Sequence, residues 1–388
     1  MTSRERLLAA MSHQSVDYVP CSFMIFSSLR SDSADDVDFV RRELELGLDP
    51  VVELVTWGSE GARDHPDLPG PPIQFHPDTQ VTDWVEETTG GSIIHRRYDT
   101  PAGPLTAAVR WTEDWKAGPR VPLFSDWIIP RAHKFLVETD EDLDRLPYVL
   151  APVRPESVDG LRAMAEPKQA LARDRQLLVS GGMGVGLEAA AWLCGCESAA
   201  LALYDRPEWL GRLVDLLHSW NVSRMEAMLG LGVDVFVRRG WYEGTDFFSP
   251  AHFQRFVLPS LRREVQLAHD AGATFAYINT SGTMPILDML MEAGVDVLVG
   301  VDPVQGKGTD MTGMRRQTQG RMALWGGVNG FVTVERGTAE EVREAVGLAM
   351  ETLGPAGFIL SPVDTVVDRS DRTWGNVHAL LAAWREGR

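Results

Sequence analysis

From residue 157 onward the chain alternates short apolar runs with helical stretches, and this regular alternation limits the possible folds more than any other feature. The runs are QLLVSG (176–181), VDVFVRRG (233–240), TFAYIN (274–279), VDVLVG (295–300), MALWGG (322–327) and GFILS (357–361). They do not alternate apolar with polar residues, which marks strands covered on both faces of a parallel sheet. Helices are expected at 157–172, 187–195, 207–230, 250–271, 285–294, 309–319, 338–353 and 373–386. Two earlier strands are read in VDYVPCSFMIF (16–26) and VVELVTW (51–57), with a helix in SADDVDFVRRELELGLD between them. A short helix from Thr2 to His13, capped by Thr2 or Ser3, precedes them. Seven or eight strand–helix units favour an α/β fold of the (β/α)8 TIM-barrel type over a doubly wound sheet.

Residues 58–130 break the pattern. GSEGARDHPDLPGPPIQFHPDTQ is rich in Gly, Pro and Asp and reads as a loop. DWVEETT, GSIIHRRYDT and LTAAVRWT are extended, with turn signals at Gly90-Gly91 and Pro101-Ala102-Gly103, so antiparallel hairpins are expected. An acidic helix capped near Thr139 follows. No Gly/Ser linker splits the chain, so 1–388 is taken as one barrel domain with an N-terminal β-hairpin excursion at 58–130.

The acidic balance narrows the partners. There are 37 Lys and Arg against 55 Asp and Glu, a formal net charge of −18. Such a chain lacks the footprint for non-specific nucleic-acid or anionic-membrane binding. It contains no run of 18 apolar residues and opens with charged MTSRERLLAAMSHQ rather than a signal peptide, so a cytoplasmic location is expected. Three cysteines, Cys21, Cys194 and Cys196, do not form a disulfide framework. Cys194 and Cys196 stand too close for a C-x2-C metal knuckle and read as buried small apolar residues.

In a (β/α)8 barrel the active site is built at the C-terminal ends of the strands. Glu243, Tyr242, Asp246 and Asp364 fall there as candidate catalytic groups. Trp241, Asn279, Ser281, Asp302, Trp325, Asn329 and Met183 are candidate substrate contacts. Carboxyls in a partly desolvated pocket suit proton transfer, because burial raises their pKa. The plainer readings are loop packing for Trp241 and Tyr242, and capping of a helix at 283–293 for Asn279 and Ser281. Gly184-Val185-Gly186-Leu187-Glu188-Ala189 matches G-x-G-x-x-A, but no mononucleotide-binding half follows, so it reads as a Gly-rich barrel loop. The nine histidines form no H-x-H or H-x-x-x-H pair, and G-x-S-x-G is absent.

Four segments together resemble the uroporphyrinogen decarboxylase (URO-D) superfamily. They are RERLLAAMSHQSVDYVP (4–20), FFSPAHFQRFVLPSLRREVQLAHDAGA (247–273), ILDMLMEAGVDVLVGVDP (286–303), and MALWGGVN (322–329) with GTAEEVREAV (337–346). The resemblance spans nearly the whole chain. It implies a (β/α)8 barrel with its site at the mouth, and a tetrapyrrole decarboxylase or a corrinoid- or thiol-linked methyltransferase. Where the decarboxylase carries R-Q-A-G-R-Y, this sequence reads CSFMIFSSLRSDS, with Arg30 alone able to meet a carboxylate. Where the thiol methyltransferases carry H-x-C-G, it reads Asn279-Thr280-Ser281-Gly282. Relatives place a further Cys or His after the last strand; here the S-P-V-D run offers Asp364. Amide and hydroxyl groups do not supply the soft donors of a zinc–thiolate centre, so no metal is expected there. The resemblance therefore implies methyl transfer from a small methylated substrate, with a corrinoid protein as possible acceptor and a homodimer as possible assembly. Decarboxylation or another lyase reaction on an acidic substrate, and a non-catalytic accessory role, are the alternatives.

Overall fold

The computed structural model describes residues 1–55, 71 and 73–388, the side chain of Met183 excepted. Among these residues the strands are β1 (Val51–Glu53), β2 (Gln80–Thr88), β3 (Gly91–Thr100), β4 (Gly103–Arg110), β5 (Ala132–Lys134) and β6 (Leu178–Gly184). They continue as β7 (Val235–Arg239), β8 (Thr274–Ile278), β9 (Val297–Val301), β10 (Ala323–Asn329) and β11 (Phe358–Val363). The chain divides into two compact units. One holds Met1–Leu54, Ala165–Gly181 and Gly232–Arg388; the other holds Val55–Met164 and Gly182–Leu231.

The fold is α/β. A seven-stranded sheet runs in the order β1-β6-β7-β8-β9-β10-β11, and its pairings from β7 through β11 and between β1 and β6 are parallel. Every residue of β9, β10 and β11 is buried, the burial expected of strands covered on both faces. Helices Leu258–Asp270, Leu287–Ala293, Met311–Thr318, Ala339–Leu353 and Asp371–Glu386 follow β7 to β11 in turn. Ala339–Leu353 shows why they form. Thr338 and Glu341 close a capping box at its start, and Val342, Val346, Ala349 and Leu353 make one buried stripe.

Several expectations need correction. Residues 16–26 do not make a full strand; Cys21 and Ile25 form isolated parallel bridges to Leu360 and Thr365. Pro20 has no N–H to donate, and a helix begins at Ser27. The ladder nonetheless continues locally. Leu360 N donates to Pro20 O at 2.9 Å, Ser22 N to Leu360 O at 3.0 Å, and Asp49 N, two residues before β1, to Cys21 O at 2.8 Å. The helix read as 250–271 is interrupted by a π-helical turn, Phe253–Val257, ahead of Leu258–Asp270. Pro259 supplies no N–H to an i−4 carbonyl, and the wider turn accommodates it.

In the second unit, β2-β3-β4-β5 form an antiparallel sheet, with tight turns at the two sites of the glycine signals. Ile94, Tyr98, Leu105, Ala107 and Val109 form its buried face. Residues 56–70 and 72, which include the end of the run read as 51–57 and most of the Pro-rich loop, lie outside the described residues. Thr139 caps Asp140–Arg145 through a capping box. Between β6 and β7 run the helices Glu188–Cys194, Cys196–Asp205 and Pro207–Leu229, one more than read from the sequence. That arrangement keeps the G-x-G-x-x-A stretch out of a βαβ half. Cys194 is buried as expected, but Cys196 is exposed, because it opens the helix whose outer face carries Leu201 and Tyr204. No described helix is long and apolar enough to cross a membrane.

Candidate active site

The C-terminal ends of β7 to β11 gather most of the candidate residues, and loop packing fixes their geometry. Gly244 lies so close to the loop after β8 that a Cβ there would collide with the Ser281 carbonyl. Gly282 has φ +64°, and a Cβ there would sit 2.5 Å from the Thr245 amide nitrogen. Thr245 donates its N–H to Gly282 O at 3.0 Å and its hydroxyl to the same oxygen at 2.8 Å. The loops after β7 and β8 are therefore joined backbone to backbone.

Glu243 is fully buried and already engaged. Arg238 donates from Nη1 to its Oε2 at 2.8 Å and from Nη2 to its Oε1 at 3.2 Å, and Tyr277 donates its hydroxyl to Oε2 at 2.6 Å. The Nε of Arg238 reaches Glu264, on the helix after β7, at 2.8 Å. Burial by itself would lower the Arg238 pKa, but attraction to Glu243 and Glu264 outweighs it and raises the pKa above its ordinary value. Glu264 and Tyr277 were not singled out by sequence spacing. Only the helix-to-strand pairing brings them to Glu243.

Asn279 is also buried. It donates from Nδ2 to Gly240 O at 2.8 Å and accepts from the Thr283 hydroxyl at 2.5 Å, so it ties two loops together rather than capping the helix after β8. The Ser281 hydroxyl donates to Asp246 and accepts from Lys307 N at 2.9 Å. Lys307 Nζ stands 3.7 Å from Asp246 Oδ1. Lys307, in the turn after β9, is a second residue that spacing did not mark. Asp302 Oδ1 accepts from Val304 N and Gln305 N at 2.8 and 3.0 Å. Its Oδ2 accepts from Asn329 Nδ2 at 2.7 Å, and the same amide reaches Gln305 Oε1 at 2.9 Å.

The remaining candidates are placed differently. Arg239 lies over the Trp241 ring at 4.7 Å and the Tyr242 ring at 5.6 Å, and Tyr242 meets Phe247 edge-on at 5.5 Å. Trp325 is buried within the sheet and donates its indole N–H to Ser22 O at 2.8 Å. Asp364 is exposed just beyond β11, with φ +64°. Met183 lies in the last residues of β6, in the second unit. Arg30 is paired with Asp36 at 2.6 Å and Glu53 at 3.3 Å and lies over Phe39. Large apolar side chains rim the strand ends: Phe247, Val304, Phe331, Val332 and Val367 are each at least 40% exposed. Among the described residues, no group of three or more His, Cys, Asp or Glu side chains is arranged to hold a metal ion.

The sequence profile of the uroporphyrinogen decarboxylase (URO-D) family matches residues 116–385. No curated protein sequence matches the chain. Among solved structures, a methyltransferase from Methanosarcina mazei is similar over 100% of this chain and 99% of its own, at 19% identity and a TM-score of 0.60. A B12-independent methionine synthase from Shewanella sp. W3-18-1 covers 57% of this chain and 65% of its own, at 11% identity and a TM-score of 0.40. A 3-keto-D-glucoside 4-epimerase from E. coli covers 63% and 94%, at 12% identity and a TM-score of 0.37. At 19% identity the likeness to the methyltransferase is one of fold.

Proposed function

Because the chain belongs to the uroporphyrinogen decarboxylase (URO-D) family, we propose that it is a cytoplasmic enzyme that transfers a methyl group from a small methylated ether or amine. The reading treats the parallel sheet as a closed (β/α)8 barrel within one 1–388 domain. Residues 20–25 stand as its eighth strand, in keeping with the hydrogen bonds from Leu360, Ser22 and Asp49.

One observation carries the choice of chemistry. The positions that resemble a zinc–thiolate motif hold Asn279 and Ser281, whose polar atoms bond to Gly240, Thr283, Asp246 and Lys307. This donor set does not fit zinc, so no step runs through a metal. Arg30, the candidate for a substrate carboxylate, is committed to Asp36 and Glu53, which weighs against decarboxylation. In the proposed reaction the donor's C–O or C–N bond breaks, and the methyl group bonds to the electron pair of the acceptor's nucleophile. The leaving oxygen or nitrogen takes a proton from the Tyr242 hydroxyl, and Asp246, Trp241 and Asp364 contact the substrate. The apolar rim of Phe247, Val304, Phe331, Val332 and Val367 offers a face to an acceptor protein, for which a corrinoid protein is the proposal.

The test is incubation with a panel of methylated aromatics and amines and cob(I)alamin, reading methylcobalamin formation. Product that falls at least about 100-fold in Asp246→Asn or Tyr242→Phe supports the reading. No product across the panel, or carbon dioxide release from uroporphyrinogen, overturns it. The internal bonding of Glu243, Asn279 and Asp302 favours a second reading, a non-catalytic accessory barrel. That reading gains if biological activity survives Asp246→Asn and Tyr242→Phe together.

A further inference from the structure

We propose that the N-terminal face of the seven-stranded sheet binds an oxyanion of the phosphate class, held between His13 and Arg315. These residues come from separate elements that meet at one place. His13 follows the helix Ser3–Met11, whose end is closed by His13 N donating to Ala10 O at 3.2 Å and Gln14 N to Ala9 O at 2.8 Å. Arg315 lies in the last turn of the helix Met311–Thr318. Both helices pack against β10. The His13 ring lies on Gly357, where a Cβ would come within 2.2 Å of its Nδ1. Gly357 directly precedes β11, and its carbonyl accepts from Leu324 N, near the start of β10, at 2.9 Å. The pair therefore sits at the opposite end of the strands from Glu243 and Asp246.

Two unmet nitrogens point to a ligand. Nη1 of Arg315 and Nε2 of His13 are both buried, and neither has a hydrogen-bond partner among the described residues. His13 also holds φ +55°, a left-handed conformation uncommon for a residue with a Cβ. Backbone strain of this kind clusters where a side chain is held ready for a ligand. The charges fix the ligand's sign. Arg315 acts on His13 by repulsion, and burial lowers the Arg315 pKa with no carboxylate raising it. Arg316 and Arg321, both exposed, also form no ion pair among the described residues. A chain of net charge −18 thus gathers three arginines without a carboxylate partner in the seven residues from Arg315 to Arg321. Such a local positive field favours a doubly charged oxyanion over a monocarboxylate. The guanidinium fork and an imidazole N–H supply the charge-assisted bonds that phosphate oxygens accept.

The test heats the full chain in inorganic phosphate, acetate or chloride at one ionic strength and about pH 7. Phosphate is expected to raise the melting temperature saturably, beyond acetate and chloride. Calorimetric titration should give one phosphate per chain. Arg315→Gln and His13→Asn should each weaken that binding at least about tenfold, through loss of one charge-assisted bond. Arg316→Gln, one residue along the helix and exposed, should change it by less than about threefold. A further readout uses the unaltered chain. The ring resonance of His13, assigned through its backbone, should shift along the same saturation curve. These measurements report binding alone and hold whatever reaction runs at the other end of the strands. A melting temperature that phosphate raises no more than chloride overturns the proposal. So does a rise that acetate reproduces, a His13 ring that does not respond, or an affinity that both substitutions leave intact.

Discussion

Arg238 holds Glu243 with two nitrogens, at 2.8 and 3.2 Å, and neither side chain has any exposed surface. The pair anchors the turn that presents Trp241 and Tyr242. Arg238→Met would leave Glu243 and Glu264 buried without their cation. Loss of one partner of a buried pair costs about 3–5 kcal/mol. Urea unfolding is expected to show a loss of that size. Glu243→Gln keeps the hydrogen bonds in part and should lose less, about 1–3 kcal/mol. An unchanged unfolding midpoint in Arg238→Met would refute the anchoring role.

Gly282 is expected to resist even alanine. Its φ of +64° disfavours any Cβ, and that Cβ would press on the Thr245 amide. Left-handed strain and overpacking together predict a loss of about 2–4 kcal/mol for Gly282→Ala. A thermal melt within a degree of wild type would contradict the interlocked loops.

Glu43 predicts a pH effect. Burial pushes its carboxyl up to about 8 from an ordinary 4.5, with Arg30 opposing and Glu53 reinforcing the shift. The unfolded chain gives up this proton near pH 4.5, whereas the folded chain keeps it to about 8. Between those values the folded state binds more protons, so this residue's contribution to stability falls as pH rises. Glu43→Gln should remove that slope and raise stability at pH 8 by an amount on the order of 2–4 kcal/mol. Denaturant titrations of both proteins at pH 5 and pH 8 provide the check.

His13 acts in the opposite sense. Burial, reinforced by Arg315, holds its pKa below the ordinary 6.5. Its neutral form supports the fold above that value, and the support is lost as pH falls below it, since the unfolded chain protonates first. His13→Asn tolerates the local φ of +55° and should flatten stability between pH 6.5 and 5. An identical pH slope in the variant would exclude His13 as its source.

The sheet of the first unit was legible because burial on both faces leaves uninterrupted apolar runs, as in 295–300 and 322–327. Residues 16–26 were not, because Pro20 withholds one N–H from an otherwise strand-like run, which keeps only isolated bridges. The strand-end rule placed Glu243, Asp246, Asn279 and Asp302 just beyond the C-terminal ends of β7, β8 and β9, where the structure has them. It could not say which of them were already bonded. Glu243 is secured by Glu264's partner Arg238 and by Tyr277, 34 residues away, and such pairings exist only once helix and strand have met. Cys196 was misread for a similar reason. Burial of a small residue depends on which helix face turns inward, and a helix of ten residues, Cys196–Asp205, was not expected there.

The glycine-packed turns after β7 and β8 bear on how such a molecule changes over generations. Backbone contacts between Thr245 and Gly282 hold these turns together, and the side chains at 279 and 281 add bonds to Gly240, Thr283, Asp246 and Lys307. A change at either position therefore costs those side-chain bonds but leaves the backbone link between the turns in place. Substitutions there can be taken one at a time, each on a link that the Thr245–Gly282 backbone bond still holds.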